Sequence, residues 1–221
     1  MTSLTDSGLP DLAPWLGDVS LADFHDRFWG RVPLAQAATT SEVGKLLDWA
    51  ALDRVLRCRP EVLVVARGQL LPGPPPTTLR ALRARLTEGA GLCIRHAERH
   101  CAELARLASS FDAIGTPQVQ LFVTPGGTHG FGWHYDDEDV FIAQTAGVKD
   151  YYFRANTVAA KERARPAMFS RFPREGSQLC TATLVAGDFL YLPARWWHMA
   201  VCREDSLSIS IGVLRHPTRD A

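Results

Sequence analysis

The sequence predicts an α+β domain, mainly β, with N-terminal helices packed on an antiparallel barrel or sandwich. Helical patterns dominate residues 1–115, whereas short strand-like runs separated by Gly, Pro or charged turns dominate residues 116–215. No internal repeat or domain boundary is evident, and 221 residues with 46% hydrophobic side chains suffice for one core. We therefore expect a single domain over residues 1–221.

Two helices are predicted in the first quarter of the chain. Ser20 followed by Asp23 resembles a capped helix start with an acidic first turn, ahead of several apolar residues. Ser41 is expected to cap a second helix, whose apolar face extends to Leu56.

A strand and two further helices are predicted before the barrel. Residues 61–66, EVLVVA, are short and β-branched, as in a buried strand. The prolines of residues 72–76 exclude regular structure there. Thr77 or Thr78 then begins a third helix, and an amphipathic helix is expected over residues 96–110.

The barrel core is predicted from six strand-like runs after Gln118. They are VQLFVT, DVFIAQ, VKDYYF, CTATLV, DFLYLP and SLSISIGVL. Residues 156–178 interrupt this pattern with a polar and basic stretch, which indicates a long loop over the barrel mouth.

Charge and cysteine content limit the partners and the compartment. Lys plus Arg and Asp plus Glu number 24 each, so no overall field attracts nucleic acid or a membrane surface. A nucleic-acid partner is therefore disfavoured, although a local basic patch would suffice for one. The five cysteines form no Cys-x-x-Cys pair, which predicts reduced, buried thiols. Without a leader pattern or an apolar run of about 20 residues, the expected location is cytoplasmic.

One short motif carries metal chemistry. His134-Tyr135-Asp136 places two ligand-type side chains two residues apart, and alternate residues of a strand share a face. Two histidines and one carboxylate on one face would leave open positions on Fe(II). About one chain in three would contain His-x-Asp by chance at ordinary composition, so the surroundings decide. His198, after an apolar strand and Trp196-Trp197, is the expected third ligand.

Longer stretches resemble a known family. TPGGTHGFGWHYDDEDVFIAQTAGVKDYYF, GDFLYLPARWWHMAV and SLSISIG resemble the JmjC or cupin-like 2-oxoglutarate oxygenases, in the ribosomal-oxygenase and asparaginyl-hydroxylase branch; FHDRFWGRVPL and GLCIRHAERHCAELARL do so more faintly. The resemblance implies a double-stranded β-helix (jelly-roll) core, with Fe(II), 2-oxoglutarate and O2 as cofactors and co-substrates. It also implies iron ligands at His134, Asp136 and His198, and a Lys149 that binds the distal carboxylate of 2-oxoglutarate.

Departures from the family pattern set further expectations. Gln120 and Phe122 stand where the ribosomal branch often has Asn and Tyr, so a hydroxyl near 2-oxoglutarate would have to come from another residue. The expected co-substrate residues besides Lys149 are Gln120, Thr128 and Ser210, with Thr124 as an alternative. Bulky Trp133 replaces a frequent Pro and is expected to narrow the pocket. The expected substrate-binding residues are Trp133, Trp196 and Arg171.

Each of these residues also has an interpretation that involves no metal or ligand. His134 and Asp136 could belong to a surface turn, His198 to the core, and Lys149 to a solvated strand. Asp137 to Asp139 are expected in a loop outside the metal site. His96 and His100, four apart on the predicted helix, resemble zinc ligands, but a solvated helix face is favoured. The basic loop residues suit an acidic peptide, a phosphate backbone or water; they are Lys161, Arg163, Arg165, Arg171 and Arg174.

Several functions remain open at this level. The leading hypothesis is a hydroxylase of a peptide, protein or amino-acid side chain. The alternatives are an N-demethylase of the same fold, a metal-only cupin enzyme, and a non-catalytic cupin-like module that binds a metal or ligand. The chain ends at HPTRDA, so the dimerisation and winged-helix regions of ribosomal oxygenases are not expected, although a homodimer is left open.

Overall fold

The fold is built from two antiparallel sheets that face each other. In the computed structural model, residues 12–157 and 175–216 are described. The larger sheet has the strand order β1-β9-β6-β11-β5-β4-β2-β3, and the smaller has the order β10-β7-β8. The strands are β1 Leu34–Gln36, β2 Glu61–Ala66, β3 Gln69–Leu70, β4 Gly91–Arg95, β5 Gly115–Thr124, β6 Asp139–Ala146, β7 Lys149–Arg154, β8 Cys180–Leu184, β9 Phe189–Leu192, β10 Trp197–Cys202 and β11 Ser206–Arg215. This is the jelly-roll, double-stranded β-helix core that the sequence predicted.

Alternation along the strands creates two separate cores. In β6, Phe141 and Ala143 face the helices, whereas Val140 and Ile142 face the smaller sheet. Successive side chains of a strand point to opposite faces, so each central strand serves both cores. The even-numbered residues of β5, β6 and β11 consequently form the interior surface of the barrel.

The helices cover the outer face of the larger sheet. They are α1 Leu21–Asp23, α2 Ser41–Gly44, α3 Trp49–Arg57, α4 Leu79–Thr87 and α5 Ala102–Ser109, with a π-helical turn at Phe24–Phe28 and 3₁₀ turns at Ala13–Leu16 and Ala97–Arg99. The predicted caps are confirmed at Ser20, which accepts from Asp23 N at 3.0 Å, and at Thr78, which accepts from Ala81 N at 3.3 Å.

Two helix predictions were wrong in their extent. The single helix predicted from Ser41 is divided, because Asp48 accepts from Ala51 N at 2.6 Å and caps a new helix, α3. The helix predicted over 96–110 begins only at Ala102, after strand β4 and a 3₁₀ turn. His96 adopts a left-handed conformation before that turn, so the predicted His96 and His100 pair on one helix face does not exist.

The predictions for strand 61–66, for the helical N-terminal part and for the cysteines have different outcomes. Strand 61–66 is confirmed as β2. The region before residue 115 is less helical than predicted, since β2, β3 and β4 extend the larger sheet. All five cysteines are free, but only Cys93 and Cys202 are buried, and Cys58 is exposed.

Most of the predicted mouth loop, residues 158–174, lies outside the described residues. No helix within the described parts of the chain has the length and apolar character needed to cross a membrane.

Candidate metal centre and cavity

Two backbone segments bring the three predicted ligands together. His198 lies in β10, which pairs with β7. His134 lies just before β6 and forms an isolated bridge to His198, in which each amide donates to the other residue's carbonyl at 3.1 and 2.8 Å. The expectation that His134 and Asp136 lie on a regular strand was therefore wrong, because this segment forms isolated bridges and the next strand begins only at Asp139.

The side chains of these residues converge on one point. The carboxylate Oδ2 of Asp136 lies 3.5 Å from His198 Nε2 and 4.0 Å from His134 Nε2. One ligand atom from each residue lies within 4.8 Å of the others. Two imidazoles and a carboxylate on one side of a point match the facial donor set of Fe(II) oxygenases, with the opposite positions left to other ligands. The donor chemistry thus fits a divalent metal.

Hydrogen bonds to the backbone orient both imidazoles. Nδ1 of His134 lies 2.8 Å from the Gly132 carbonyl, and Nδ1 of His198 lies 3.0 Å from the Trp196 carbonyl. A carbonyl only accepts, so each Nδ1 carries the proton and each Nε2 presents its lone pair to the centre. Burial and the neighbouring His134 lower the pKa of His198 to about 4, although Asp136 acts in the opposite direction. His198 is thereby kept neutral, as a metal ligand must be.

A buried carboxylate anchors the turn that precedes His198. Asp139 is fully buried and accepts from Tyr191 Oη at 2.6 Å, from Ala194 N at 3.3 Å and from Arg215 Nη2 at 2.7 Å. Beside it, Arg195 N donates to the Asp136 carbonyl at 2.6 Å. The prediction that Asp139 is a loop residue was wrong, because it is the first residue of β6 and an anchor for the metal-site turn.

A cavity of about 70 Å³ extends from the three ligands into the barrel. Lys149 lines it, with 5% of its surface exposed, and its Nζ lies 5.6 Å from the centroid of Phe122 and 5.4 Å from that of Tyr151. Burial is the largest single influence and acts to lower the pKa of Lys149, but Tyr151, Cys202 and Cys93 together outweigh it, and the net direction is upward. Burial raises the pKa of Tyr151, so the pair is a lysine cation beside a neutral phenol.

The other end of the cavity is acidic. Glu138 lines it beyond Asp136, and burial together with the neighbouring Asp136 carboxylate raises the pKa of Glu138. The cavity therefore has a lysine cation and a carboxylate among its lining residues, in addition to the three converging ligands.

The remaining predicted site residues divide into two groups. Gln120 and Ser210 line the cavity, as does the alternative Thr124. The hydroxyl of Thr128 instead donates to the Pro125 carbonyl at 2.9 Å, so the structure does not bring Thr128 to the cavity.

The predicted substrate residues lie elsewhere. Trp133 is not among the described residues that line the cavity, and Trp196 packs against the interior core. The narrowing of the substrate entrance by Trp133 stays a prediction. Arg171 and the other basic loop residues lie outside the described part of the chain.

Sequence reasoning missed Tyr151, Ser208 and the cavity position of Glu138. The alternation of β7 could have identified Tyr151, because residues 149 and 151 share a face. Ser208 follows from the same rule once Ser210 is placed on β11. Glu138 depends on how the irregular segment after His134 enters β6, for which the sequence carries no periodic signal.

Comparisons with known proteins agree with this geometry. A family model described as a JmjC domain matches residues 94–221, more than half of the chain. "Bifunctional lysine-specific demethylase and histidyl-hydroxylase NO66" of Dictyostelium discoideum is 39% identical over 101 residues, which are 43% of this chain and 19% of that protein. "Probable ribosomal oxygenase" of Haemophilus influenzae is 30% identical over 139 residues, which are 60% of this chain and 33% of that protein.

Solved structures share the fold. The ribosomal oxygenase YcfD of Escherichia coli, in complex with cobalt and 2-oxoglutarate, superposes with a TM-score of 0.62 at 19% identity, over 91% of this chain and 53% of that one. This chain thus spans about half of that structure and between a fifth and a third of the two curated relatives.

Proposed function

We propose, from the premise that this chain belongs to the JmjC domain family, that it is an Fe(II)- and 2-oxoglutarate-dependent oxygenase. Its expected reaction is hydroxylation of an unactivated C–H bond on a peptide or amino-acid side chain. The names of its relatives, a histidyl-hydroxylase and ribosomal oxygenases, support a protein substrate. The cobalt and 2-oxoglutarate bound in the related E. coli structure support the cofactor and co-substrate.

One observation carries the proposal. Lys149 is buried in the same cavity as the three converging ligands, and its ammonium lies beside the rings of Phe122 and Tyr151, with no ion pair to a carboxylate of the described residues. A buried ammonium without a carboxylate partner is costly, so its position calls for an anion brought by a ligand. A dicarboxylate whose one end chelates a metal at the triad and whose other end reaches Lys149 meets both demands.

The residues then have separate tasks. His134, Asp136 and His198 would hold the metal on one side, and their hydrogen bonds fix them before it binds. Lys149 and Tyr151 would bind the distal carboxylate by a charge-assisted and a neutral hydrogen bond. Iron(II) with 2-oxoglutarate supplies the oxidation, in which one atom of O2 enters the C–H bond and the other enters succinate as CO2 is released.

The test is anaerobic reconstitution with Fe(II), followed by measurement of succinate after O2 is added. Wild type should form succinate slowly without substrate, and His134→Ala should abolish this. Lys149→Ala should retain the metal but bind 2-oxoglutarate about a hundredfold more weakly, because a charged hydrogen-bond partner is lost.

Matched controls are His25→Ala and Lys45→Ala, since both residues are exposed and lie outside the cavity. Neither control should change succinate formation. A wild-type protein that binds neither the metal nor 2-oxoglutarate would contradict the proposal and favour a binding module of another kind.

A further inference from the structure

We propose that the outer surface of helices α3 and α4 binds the phosphate backbone of double-stranded RNA. This arginine surface consists of Arg57 of α3 and of Arg80 and Arg83 of α4. Both helices cover the outer face of the larger sheet, whereas the metal ligands line the cavity inside the barrel. The inference therefore goes beyond the proposed oxygenase function and does not depend on it.

The segment that forms this surface is strongly basic, although the whole chain is neutral. Residues 49–87, from the start of α3 to the end of α4, contain seven arginines and two carboxylates, an excess of five positive charges. The rest of the chain carries the balancing negative excess, because the 221 residues include 24 basic and 24 acidic side chains. Basic charge that is concentrated in one part of a fold is the electrostatic footprint of a protein that binds a polyanion.

Helix α4 carries its charge without the carboxylates that usually balance arginines on a helix. Its nine residues, LRALRARLT, include three arginines and no acidic residue. In α5, by contrast, Glu103 pairs with Arg106 at 3.6 Å. A cation in the first turn opposes the helix dipole, so Arg80 lowers the stability of α4. The stability of the helix therefore does not explain why arginine stands at position 80.

One carboxylate joins the two helices and brings their arginines together. Asp53 Oδ1 accepts from Leu79 N at 2.5 Å, and Asp53 Oδ2 accepts from Arg57 Nε at 2.8 Å. Arg57 is thereby held next to the first turn of α4, with 63% of its side chain exposed. Arg80 and Arg83 are exposed, and three-residue spacing places them on one side of α4. Neither forms an ion pair within the described parts of the chain.

The chemistry of this surface favours a nucleic acid over a membrane or an acidic peptide. Guanidinium groups bind phosphate oxygens through paired N–H donors, and neutralising a duplex releases its condensed counterions. A disordered acidic peptide would have to be ordered on binding, at a cost in entropy that a rigid duplex avoids. A membrane surface requires apolar side chains that insert, and none of the large hydrophobic residues exposed in the described chain lies on α3 or α4.

The shape of the surface favours double-stranded RNA. Trp49, the aromatic residue of these two helices, packs against the core, so the surface offers no ring on which unpaired bases could stack. Leu52 and Leu56 of α3 and Leu82 and Leu86 of α4 are buried, so both helices lie flat on the sheet and neither can enter the deep major groove of DNA. A-form RNA instead presents its phosphates beside a wide, shallow minor groove.

The salt dependence of binding tests the arginine surface. The full chain is titrated into a fluorescently labelled RNA duplex, and anisotropy is followed at salt concentrations between about 50 and 200 mM. Wild type should bind in the micromolar range, and the logarithm of its binding constant should fall with the logarithm of salt with a slope of about −3, since three arginines contact phosphates. Arg80→Gln combined with Arg83→Gln should weaken binding at least about tenfold and reduce the slope by about two.

Arg27→Gln combined with Arg203→Gln is the matched control, because it removes the same charge from exposed arginines outside this surface. The control should keep the affinity and the slope of wild type. Arg80→Lys combined with Arg83→Lys should also keep the slope, since the slope depends on the number of cations that contact phosphates. This variant separates a loss of charge from a disturbed helix.

Several results would overturn the inference. They are the absence of binding by wild type at about 50 mM salt, an unchanged slope in the glutamine variant of Arg80 and Arg83, and the same reduction of the slope in the control. Equal or tighter binding of a DNA duplex of the same sequence, of polyglutamate or of phosphatidylserine vesicles would overturn the assignment to RNA. Succinate formation tests the proposed function separately, and it should be the same in the glutamine variant as in wild type.

Discussion

Each metal-site histidine is oriented by the carbonyl two residues before it in its own segment. His134 uses Gly132 and His198 uses Trp196, so a contact within each histidine's own segment selects the tautomer that presents Nε2. What the local sequence cannot supply is the distance between the two rings. The reciprocal backbone hydrogen bonds of His134 and His198 set it, and they place the ring centroids 4.2 Å apart.

Tyr151→Phe should weaken 2-oxoglutarate binding about fivefold and leave metal binding unchanged. The phenol lies beside the Lys149 ammonium, and a lost buried hydrogen bond costs about 1 kcal/mol. Calorimetry on the Mn(II)-loaded protein measures the effect. Tyr152→Phe is the control, because Tyr152 is the next residue of β7 and does not line the cavity. Equal effects of the two substitutions would contradict the role of Tyr151.

At the scale of elements, Glu175 joins the strand β7 to the segment before β8. It is buried, and its carboxylate accepts from Thr157 N at 2.7 Å, Thr157 Oγ1 at 2.5 Å and Ser177 N at 3.0 Å. Burial acts to raise its pKa, but these hydrogen bonds outweigh burial and lower the pKa to about 2. The carboxylate therefore stabilises the folded chain only while it is ionised.

Glu175→Gln should lower the free energy of unfolding by about 2 kcal/mol at pH 7. Because the folded pKa lies below the usual 4.5, this stabilisation is complete above pH 4.5 and is lost as pH falls towards 2. The stability gap between wild type and variant should thus narrow steadily below pH 4.5 in urea unfolding experiments. Glu88 is exposed, so Glu88→Gln should unfold with almost the same free energy as wild type at every pH. If the difference in free energy of unfolding between wild type and Glu175→Gln did not change with pH, the ionised carboxylate could not be the cause of that difference.

Sequence patterns predicted the elements well where one residue decides the local structure. Ser20 and Thr78 have side chains that can cap, and both helices begin there. The prediction failed at Asp48, whose cap divides an otherwise continuous apolar face. It also missed β4, GLCIR, because a short apolar run beside a helical pattern fits a strand or a helix equally well.

Asp139→Asn should lower the free energy of unfolding by about 3 kcal/mol, because it leaves Arg215 without its buried anion. Urea unfolding of the apo chain measures this. Metal affinity should fall as well, since Asp139 holds the turn before His198 through Ala194 N. Asp137→Asn, which breaks an exposed pair, should cost less than about 1 kcal/mol. Equal losses for the two variants would show that the Asp139 network does not anchor this turn.

At the scale of the whole molecule, the site depends on contacts between the two sheets that no local pattern encodes. The triad and Lys149 were predicted through resemblance to a family, whereas Tyr151, Ser208 and Glu138 follow only from strand register. Register fixes which side chains share the barrel interior, and it is set by pairing between residues far apart in the sequence. The co-substrate role of Thr128 stays a prediction; its hydroxyl donates to the Pro125 carbonyl, a contact that composition alone could not show.

Because both sheets contribute to the cavity, ligands that bridge it should stabilise the entire fold. A ligand at a hundred times its Kd stabilises the folded state by about 2.7 kcal/mol, which raises the melting temperature of a chain of this size by about 5 to 10 °C. Mn(II) should give one such increase in wild type and 2-oxoglutarate a second. In Lys149→Ala the first increase should persist while the second falls to about 1 °C at the same concentrations, because a ligand at its Kd contributes only about 0.4 kcal/mol. His134→Ala should lose both. Thermal unfolding with and without EDTA measures these shifts, and a full second increase in Lys149→Ala would show that 2-oxoglutarate binds without bridging the sheets through Lys149.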